Sequence, residues 1–311
     1  MTKAKPVIID TDPGVDDAFA IMLAAASERL EIVGLCSVDG NVKEEHTARN
    51  ALDLAEFLSL GCPVARGAAE QLEVPIPERG EHIHGERGMG EVRLPKAAGD
   101  FDSRPAWDFI YDKALEYAGE LVLIAIGPLT NIALLLQKHP DVKPLIKQLV
   151  VMGGSTTRGN RTPFAEFNFW ADPPAARLVF ESGLNTVMAG LNITLETGVP
   201  LSLIDELSER PSRLRGILKE MSEAYSDRAA GFGDVPSSIV HDAVAVFYAA
   251  WPELCETRRC EITINTEAGG ERWGQSLASC ENPARFNAEV IEKIDMERYL
   301  ALYGEMIDYF A

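Results

Sequence analysis

Residues 7–26 read Val7-Ile8-Ile9-Asp10-Thr11-Asp12-Pro13-Gly14-Val15-Asp16-Asp17-Ala18-Phe19-Ala20-Ile21-Met22-Leu23-Ala24-Ala25-Ala26, with four carboxylates inside eight residues. Val7 to Ile9 is a short β-branched run that predicts a buried strand. Ala18 to Ala26 is apolar on every side, which predicts a buried helix. The acids therefore stand at a junction between two buried elements. A proline pushes the residue before it into extended backbone, so Asp12 is expected to project from the strand end, with Pro13-Gly14 at the centre of a type II turn.

Asp16 and Asp17 open the helix, where the macrodipole favours negative charge by roughly 0.3–1 kcal/mol each, too little to gather four acids. Successive helical residues point about 100° apart, so these two serve different partners. A hard cation with oxygen ligands would gather Asp12 and Asp17, leaving Asp16 to accept hydrogen bonds from a hydroxylated ligand. The plain alternative is an N-cap with a solvated acidic turn, but an ordinary turn needs no carboxylates at the strand end.

Outward from this stretch, β-rich runs alternate with helical patterns: Ile32 to Val38, Glu44 to Leu60, Leu121 to Ile126, Leu129 to Lys138, Leu149 to Met152, Pro173 to Ser182 and Val187 to Leu191. This predicts an α/β fold, an open, mostly parallel, Rossmann-like sheet flanked by helices, as a single domain over 1–311. Ligands of such sheets bind beyond the carboxyl ends of the strands. There the sequence places Asp10 and Asp12, Asp39-Gly40-Asn41, Gly127-Pro128-Leu129-Thr130-Asn131, Met152-Gly153-Gly154 and Asn192, all expected to face one crevice. The long stretch from Gly67 to Arg104 reads as a loop. Glu261 to Asn265 reads as an edge-like strand that Phe286 to Ile294 could pair with, and Asp295 as the cap of a last helix, a structural or oligomeric segment.

The 48 acidic against 29 basic residues give a net charge of -19, which opposes binding a polyanion and favours neutral or cationic small ligands. Without a signal peptide or an apolar run of roughly 18 residues, the chain is expected to be soluble and cytoplasmic, with no membrane partner. Five cysteines without a Cys-x-x-Cys spacing are read as free thiols, Cys36 as a small core residue.

The run Asp10-Thr11-Asp12-Pro13-Gly14-Val15-Asp16-Asp17 resembles the amino-terminal signature of the inosine-uridine preferring nucleoside hydrolases, and later segments extend the likeness over nearly the whole chain. The resemblance implies a calcium-dependent enzyme that cleaves the N-glycosidic bond of ribonucleosides with water, and a homodimer or homotetramer. It assigns Asp12, Asp17 and Asp242 as calcium ligands, with the backbone carbonyl of Ile126, the residue before Gly-Pro-Leu-Thr-Asn. In Asn160-Arg161-Thr162-Pro163-Phe164-Ala165-Glu166-Phe167-Asn168-Phe169-Trp170 it assigns Asn160, Glu166 and Asn168 to the ribose hydroxyls, with Phe167 and Trp170 as apolar walls. Asp16 is expected to take the 2′-hydroxyl, Asn41 to help orient the water and the sugar, and Met152 to line the substrate site. His84, from the His84-Gly85 motif, is expected on the nucleobase side.

In this reading calcium lowers the pKa of a bound water, Asp12 takes its proton, and His241, with an ordinary pKa near ~6.5, protonates or stabilises the departing base. Tyr225, Arg228 and Phe232 fall at i, i+3 and i+7 and would present stacking and a cationic donor to the base, favouring inosine and uridine over cytidine and adenosine. Two rivals stand beside this. One is a magnesium-dependent aspartyl phosphatase with Asp10 as nucleophile, for which no downstream acidic pair at a strand end is found. The other is a non-catalytic calcium- and sugar-binding homologue.

Overall fold

A computed structural model describes residues 3–220, 237–281 and 283–311. In chain order the first elements are β1 (Lys5–Thr11), α1 (Val15–Ala26), β2 (Leu30–Ser37), α2 (Glu44–Leu58), β3 (Val64–Ala65), α3 (Glu81–His84) and α4 (Ala106–Tyr117). Then come β4 (Leu121–Ala125), α5 (Thr130–Lys138), β5 (Ile146–Met152), α6 (Phe167–Ala171), α7 (Pro173–Glu181), β6 (Thr186–Ala189), α8 (Leu191–Thr194), β7 (Val199–Pro200) and α9 (Leu201–Ser208). After β8 (Ser237–Ser238) the helix His241–Ala250 leads into β9 (Cys255–Ile264), β10 (Ser276–Ser279), β11 (Ala288–Ile294) and the closing helix Met296–Tyr309. None of the helices among the described residues is long and apolar enough to cross a membrane.

Nine strands form one sheet in the order β10-β9-β11-β6-β5-β4-β1-β2-β3, parallel except where β9 runs against its neighbours β10 and β11. The chain starts at β1, fills one side with β2 and β3, then crosses to β4, β5 and β6. The junction of β1 with β4 is therefore the switch point, where two connections leave in opposite directions and open a crevice at the carboxyl edge. The expected α/β architecture is the one observed.

Both faces of the sheet are covered, which is why its central strands are apolar without alternation. Val7, Ile9, Ile124 and Val150 pack against α1, α2, the helix His241–Ala250 and the closing helix; Ile8, Leu123, Leu149 and Val151 pack against α4, α5 and α7. Helix α1 contacts both the helix His241–Ala250 and the closing helix, so it is buried from Val15 to Ala24, Asp16 and Asp17 included. Asp295 caps the closing helix through Arg298 N–H at 2.9 Å, as its sequence indicates.

Three local expectations are corrected. Gly14 has φ −96° and ψ −164°, so Pro13-Gly14 does not form a type II turn. The glycine is required instead by crowding, because a Cβ there would lie 2.6 Å from His84 Nδ1 and 2.7 Å from Asn41 Nδ2. β9 does pair with β11 but is not an edge, since β10 folds back over its outer side. That hairpin also brings Cys260 and Cys280, twenty residues apart, into a disulfide; only Cys36, Cys62 and Cys255 are free. Two cysteines on facing sides of a hairpin are invisible to spacing rules when the intervening loop is long.

Candidate active site

Asp12 leaves the end of β1 into a cradle made by two glycines. A Cβ on Gly40 would stand 2.1 Å from its Oδ2, and one on Gly127 2.7 Å from its Oδ1. Its Oδ2 accepts the Asn41 N–H at 2.7 Å, and the Asn41 side chain donates to the Asp12 carbonyl at 3.2 Å. Its Oδ1 is buried with no hydrogen-bond partner. Asp17 is held by its own helix start: its carboxylate accepts from Thr11 Oγ1, from Gly14 N–H at 2.9 Å, from Asp12 N–H at 3.2 Å and from Asn41 Nδ2 at 3.2 Å. Asp242, on the first turn of the helix His241–Ala250, arrives from the far end of the chain because that helix packs along α1.

Carboxylate oxygens of Asp16, Asp17 and Asp242 lie within 4.8 Å of one another, all buried. Burial, joined by mutual repulsion, raises Asp12 and Asp242 well above the ordinary carboxylate range and Asp17 to about 6. A protein does not concentrate like charges in a low dielectric unless something of opposite sign offsets them. The donor set of the cluster is carboxylate oxygen, that of a hard divalent cation, and the buried Asp12 Oδ1 without a hydrogen-bond partner adds a further candidate ligand or proton acceptor. These residues fit a metal ion.

Above the cluster is a cavity of about 180 Å³. Of the residues selected from sequence, Asp16, Asn41, His84, Ile126, Met152, Asn160, Glu166, Asn168, His241 and Asp242 line it; Asp12 and Asp17 are buried and are not part of its lining. Glu166 caps α6, accepting from Asn168 N–H (2.8 Å) and Phe169 N–H (3.1 Å), and takes the Gly154 N–H at 2.8 Å. Burial nevertheless pushes its carboxyl up to about 7. Asn168 donates to the carbonyls of Ile126 (2.9 Å) and Met152 (3.1 Å), joining the ends of β4 and β5. Asn160 Oδ1 accepts the Phe167 N–H at 3.0 Å, and Phe167 forms a wall. Trp170 is buried behind that wall with the Arg161 guanidinium stacked on it at 4.4 Å.

His84 is buried and anchored over the start of α1, its Nδ1 accepting the Val15 N–H at 3.2 Å and standing 3.8 Å from Asp16 Oδ1. His241 is bonded through Nδ1 to Thr194 Oγ1 at 2.7 Å. Burial lowers its pKa to about 4, so the ring is neutral near pH 7 and not poised near its ordinary value. A neutral imidazole with Nδ1 engaged by Thr194 offers Nε2 to a ligand.

Several strand-end residues turn inward instead of toward the crevice. Asn131 donates to Asp10 Oδ1 at 2.7 Å and to the Ser37 carbonyl, Thr130 donates to Asp172, and Asn192 donates to the Ile291 carbonyl. Asp39 is consumed by Arg79, Gln71 and the start of α2. Asp10 is sealed from the cavity and pushed up to about 8 by burial, which removes the nucleophile of the phosphatase alternative. His82 and Ile83 on the wall belong to the 82–90 run that the sequence marks as a flap over the pocket; Gly80 and Arg161 on the wall are not selected from sequence, though Arg161 follows Asn160. Tyr225, Arg228 and Phe232 lie outside the described residues.

Comparison with known proteins agrees with this geometry. The model of the inosine-uridine preferring nucleoside hydrolase family matches residues 7–301. The non-specific ribonucleoside hydrolase RihC of Klebsiella pneumoniae subsp. pneumoniae is 38% identical over 307 residues, covering 97% of this chain and 98% of that protein. Uridine nucleosidase 1 of Arabidopsis thaliana is 34% identical over 267 residues, 85% of this chain and 80% of that one. The structure of a purine-preferring ribonucleoside hydrolase from Gardnerella vaginalis superposes with a TM-score of 0.91 at 30% identity, covering 97% and 98% of the two chains. With the family model matching residues 7–301 and relatives at 30% identity or more covering most of its length, the chain belongs to the inosine-uridine preferring nucleoside hydrolase family.

Proposed function

We propose that this nucleoside hydrolase splits ribonucleosides into ribose and free base with calcium as its metal, inosine and uridine being its preferred substrates. The observation that carries the reading is the buried Asp16, Asp17, Asp242 cluster under a cavity whose wall holds Asn160, Glu166 and Asn168. As the resemblance assigns them, Asp12, Asp17, Asp242 and the Ile126 carbonyl would hold the ion, with Asp16, which the structure brings beside Asp17 and Asp242, left for the ribose. When bound, it supplies Lewis-acid activation of a water and offsets the repulsion among the acids.

The chain's own residues then divide the work. Asp12, with one oxygen fixed by Asn41 and the other unpartnered, takes the proton of the attacking water at Oδ1. Asp16, Asn160, Glu166 and Asn168 bind the ribose hydroxyls and favour the flattened, cationic sugar of an oxocarbenium-like transition state. Asn41 and Met152 shape the floor, and His84 bounds the site from the loop. His241, as a neutral ring, donates a hydrogen bond to the departing base, which needs less acid assistance than an alkoxide.

Calcium binding to Asp12→Asn and Asp16→Asn, measured by titration calorimetry, tests the ligand assignment. Loss of binding in Asp12→Asn with binding kept in Asp16→Asn supports it; the reverse overturns it. Side-by-side kcat/KM on inosine, uridine, cytidine and adenosine, for the parent and Arg228→Ala, tests the base preference. An unaltered preference in the variant removes Arg228 from base reading. We further read residues 1–311 as one cytoplasmic domain assembling into a homodimer or homotetramer, which cell fractionation and light scattering would check.

A further inference from the structure

The β9–β10 hairpin lies at the far edge of the sheet, yet it reaches the chain that follows β5, beside Glu166. Ser276, at the start of β10, is buried, and its hydroxyl does two things at once: it accepts the Ser155 N–H at 2.8 Å and donates to the Ser155 carbonyl at 2.7 Å. Ser155 lies just past the end of β5, where the strand ladder no longer pairs its backbone, and buried amides and carbonyls must find partners. The next residue back, Gly154, has φ +66° and gives its N–H to Glu166 at 2.8 Å. A Cβ on Gly154 would stand 2.9 Å from Ser276 Oγ and 2.6 Å from the Phe169 ring, so the peptide carrying that N–H is enclosed between hairpin and α6.

The same hairpin makes two further attachments. Trp273 Nε1 donates to the Trp170 carbonyl at 3.1 Å, and the backbone of Gly274 passes so close to Trp170 that a Cβ would lie 2.5 Å from its Cα. At its other end the hairpin is closed by the Cys260–Cys280 disulfide. A hydroxyl combines donor and acceptor on one atom, which suits pairing both the N–H and the C=O of a single residue.

We propose that Ser276 is a positioning residue for substrate binding: it fixes the 154–155 backbone that holds Glu166, and the Cys260–Cys280 disulfide fastens the hairpin that carries it. This rests on the reading of Glu166 as a ribose ligand. The connection is serial, so the effect of losing Ser276 must vanish when Glu166 can no longer act.

The test uses the full chain with calcium present: parent, Ser276→Ala, Ser276→Thr, Glu166→Gln, the double variant Ser276→Ala/Glu166→Gln, and Cys260→Ser/Cys280→Ser. KM and kcat on uridine, inhibition by free ribose, calcium affinity by calorimetry and Tm are measured for each. Expected is a rise in KM and in the ribose inhibition constant of about tenfold in Ser276→Ala, the scale of a lost hydrogen bond. Alongside it, kcat and calcium affinity hold, Ser276→Thr largely recovers, and the cysteine variant shifts in the same sense.

The double variant should be no worse than Glu166→Gln. An undiminished Ser276→Ala effect on that background, or unchanged ribose binding in both Ser276→Ala and the cysteine variant, overturns the proposal. If Glu166→Gln alone leaves ribose binding intact, the assignment of Glu166 falls and the proposal with it. If Glu166→Gln weakens ribose binding and Ser276→Ala does not, only the proposal falls.

Discussion

The Asn41 amide donates to Asp12 Oδ2 at 2.7 Å while Oδ1 of the same carboxylate is buried without a partner. One oxygen is thus fixed by the chain and the other is left without a partner in it, free for the proposed base role. Asp12→Asn keeps the shape and can still accept the Asn41 N–H, so the fold should persist with an unchanged circular dichroism spectrum. Turnover should fall by at least about 10³-fold, the scale expected for losing a general base. Activity within tenfold of the parent would remove Asp12 from that role.

Asn168→Ala frees two carbonyls, those of Ile126 and Met152, at the floor of the cavity. Loss of kcat/KM should be similar for all four ribonucleosides, because the side chain is assigned to the ribose and not to the base. A 2′-deoxynucleoside on the parent enzyme should suffer comparably through its missing contact with Asp16, since leaving site groups unpaired can cost roughly 10⁴ in discrimination. Equal rates on ribo- and deoxynucleosides would contradict that assignment.

His241→Ala should slow inosine and uridine by about 10²-fold or more. It should slow a riboside whose leaving group is a stable phenolate far less, because such a group departs without help. A uniform loss on both kinds of substrate would point to a packing defect through Thr194 instead.

Calcium affinity should rise with pH. Asp17 is raised to about 6, and Asp12 and Asp242 are also raised well above the usual carboxylate range, chiefly by burial, so below about pH 6 the cation must displace protons that the folded chain holds. Calorimetry in buffers of different ionisation enthalpy at pH 5.5 and 8 should show proton release and weaker binding at the lower pH. A pH-independent affinity would refute the coupling.

Asp10 supplies a stability test apart from catalysis. Its pKa is raised to about 8 by burial, so between about 4 and 8 the folded chain keeps a proton that the unfolded chain has lost. Stability from this group is therefore highest at acid pH and declines as pH rises through that window, by as much as about 1.4 kcal/mol per unit. Asp10→Asn cannot ionise. In urea denaturation with chelator present, its stability relative to the parent should improve from pH 5 to pH 7.5, and parallel pH profiles would exclude the effect.

The sequence by itself determined the strand, the acidic junction and the buried helix of residues 7–26 and the alternation that makes the sheet, and it selected many of the residues that the structure places on the cavity. Those signals are local: β-branched runs, a helix apolar all round, and the habit of parallel sheets of presenting strand ends to ligands. It could not say which polar strand-end residues serve the cavity and which serve the frame, because Asp10, Asp39 and Asn131 look no different in sequence from Asp12 and Asn41. Tertiary structure decided that, by bringing Asp242 to Asp16 and Asp17 through packing of their two helices, by sealing Asp10 against Asn131, and by closing two glycines around Asp12. It also placed Cys280 on Cys260 and Ser276 on Ser155. The physical reason is the same throughout: contacts between residues far apart in the chain depend on how whole elements pack, and no short-range pattern encodes the resulting distances.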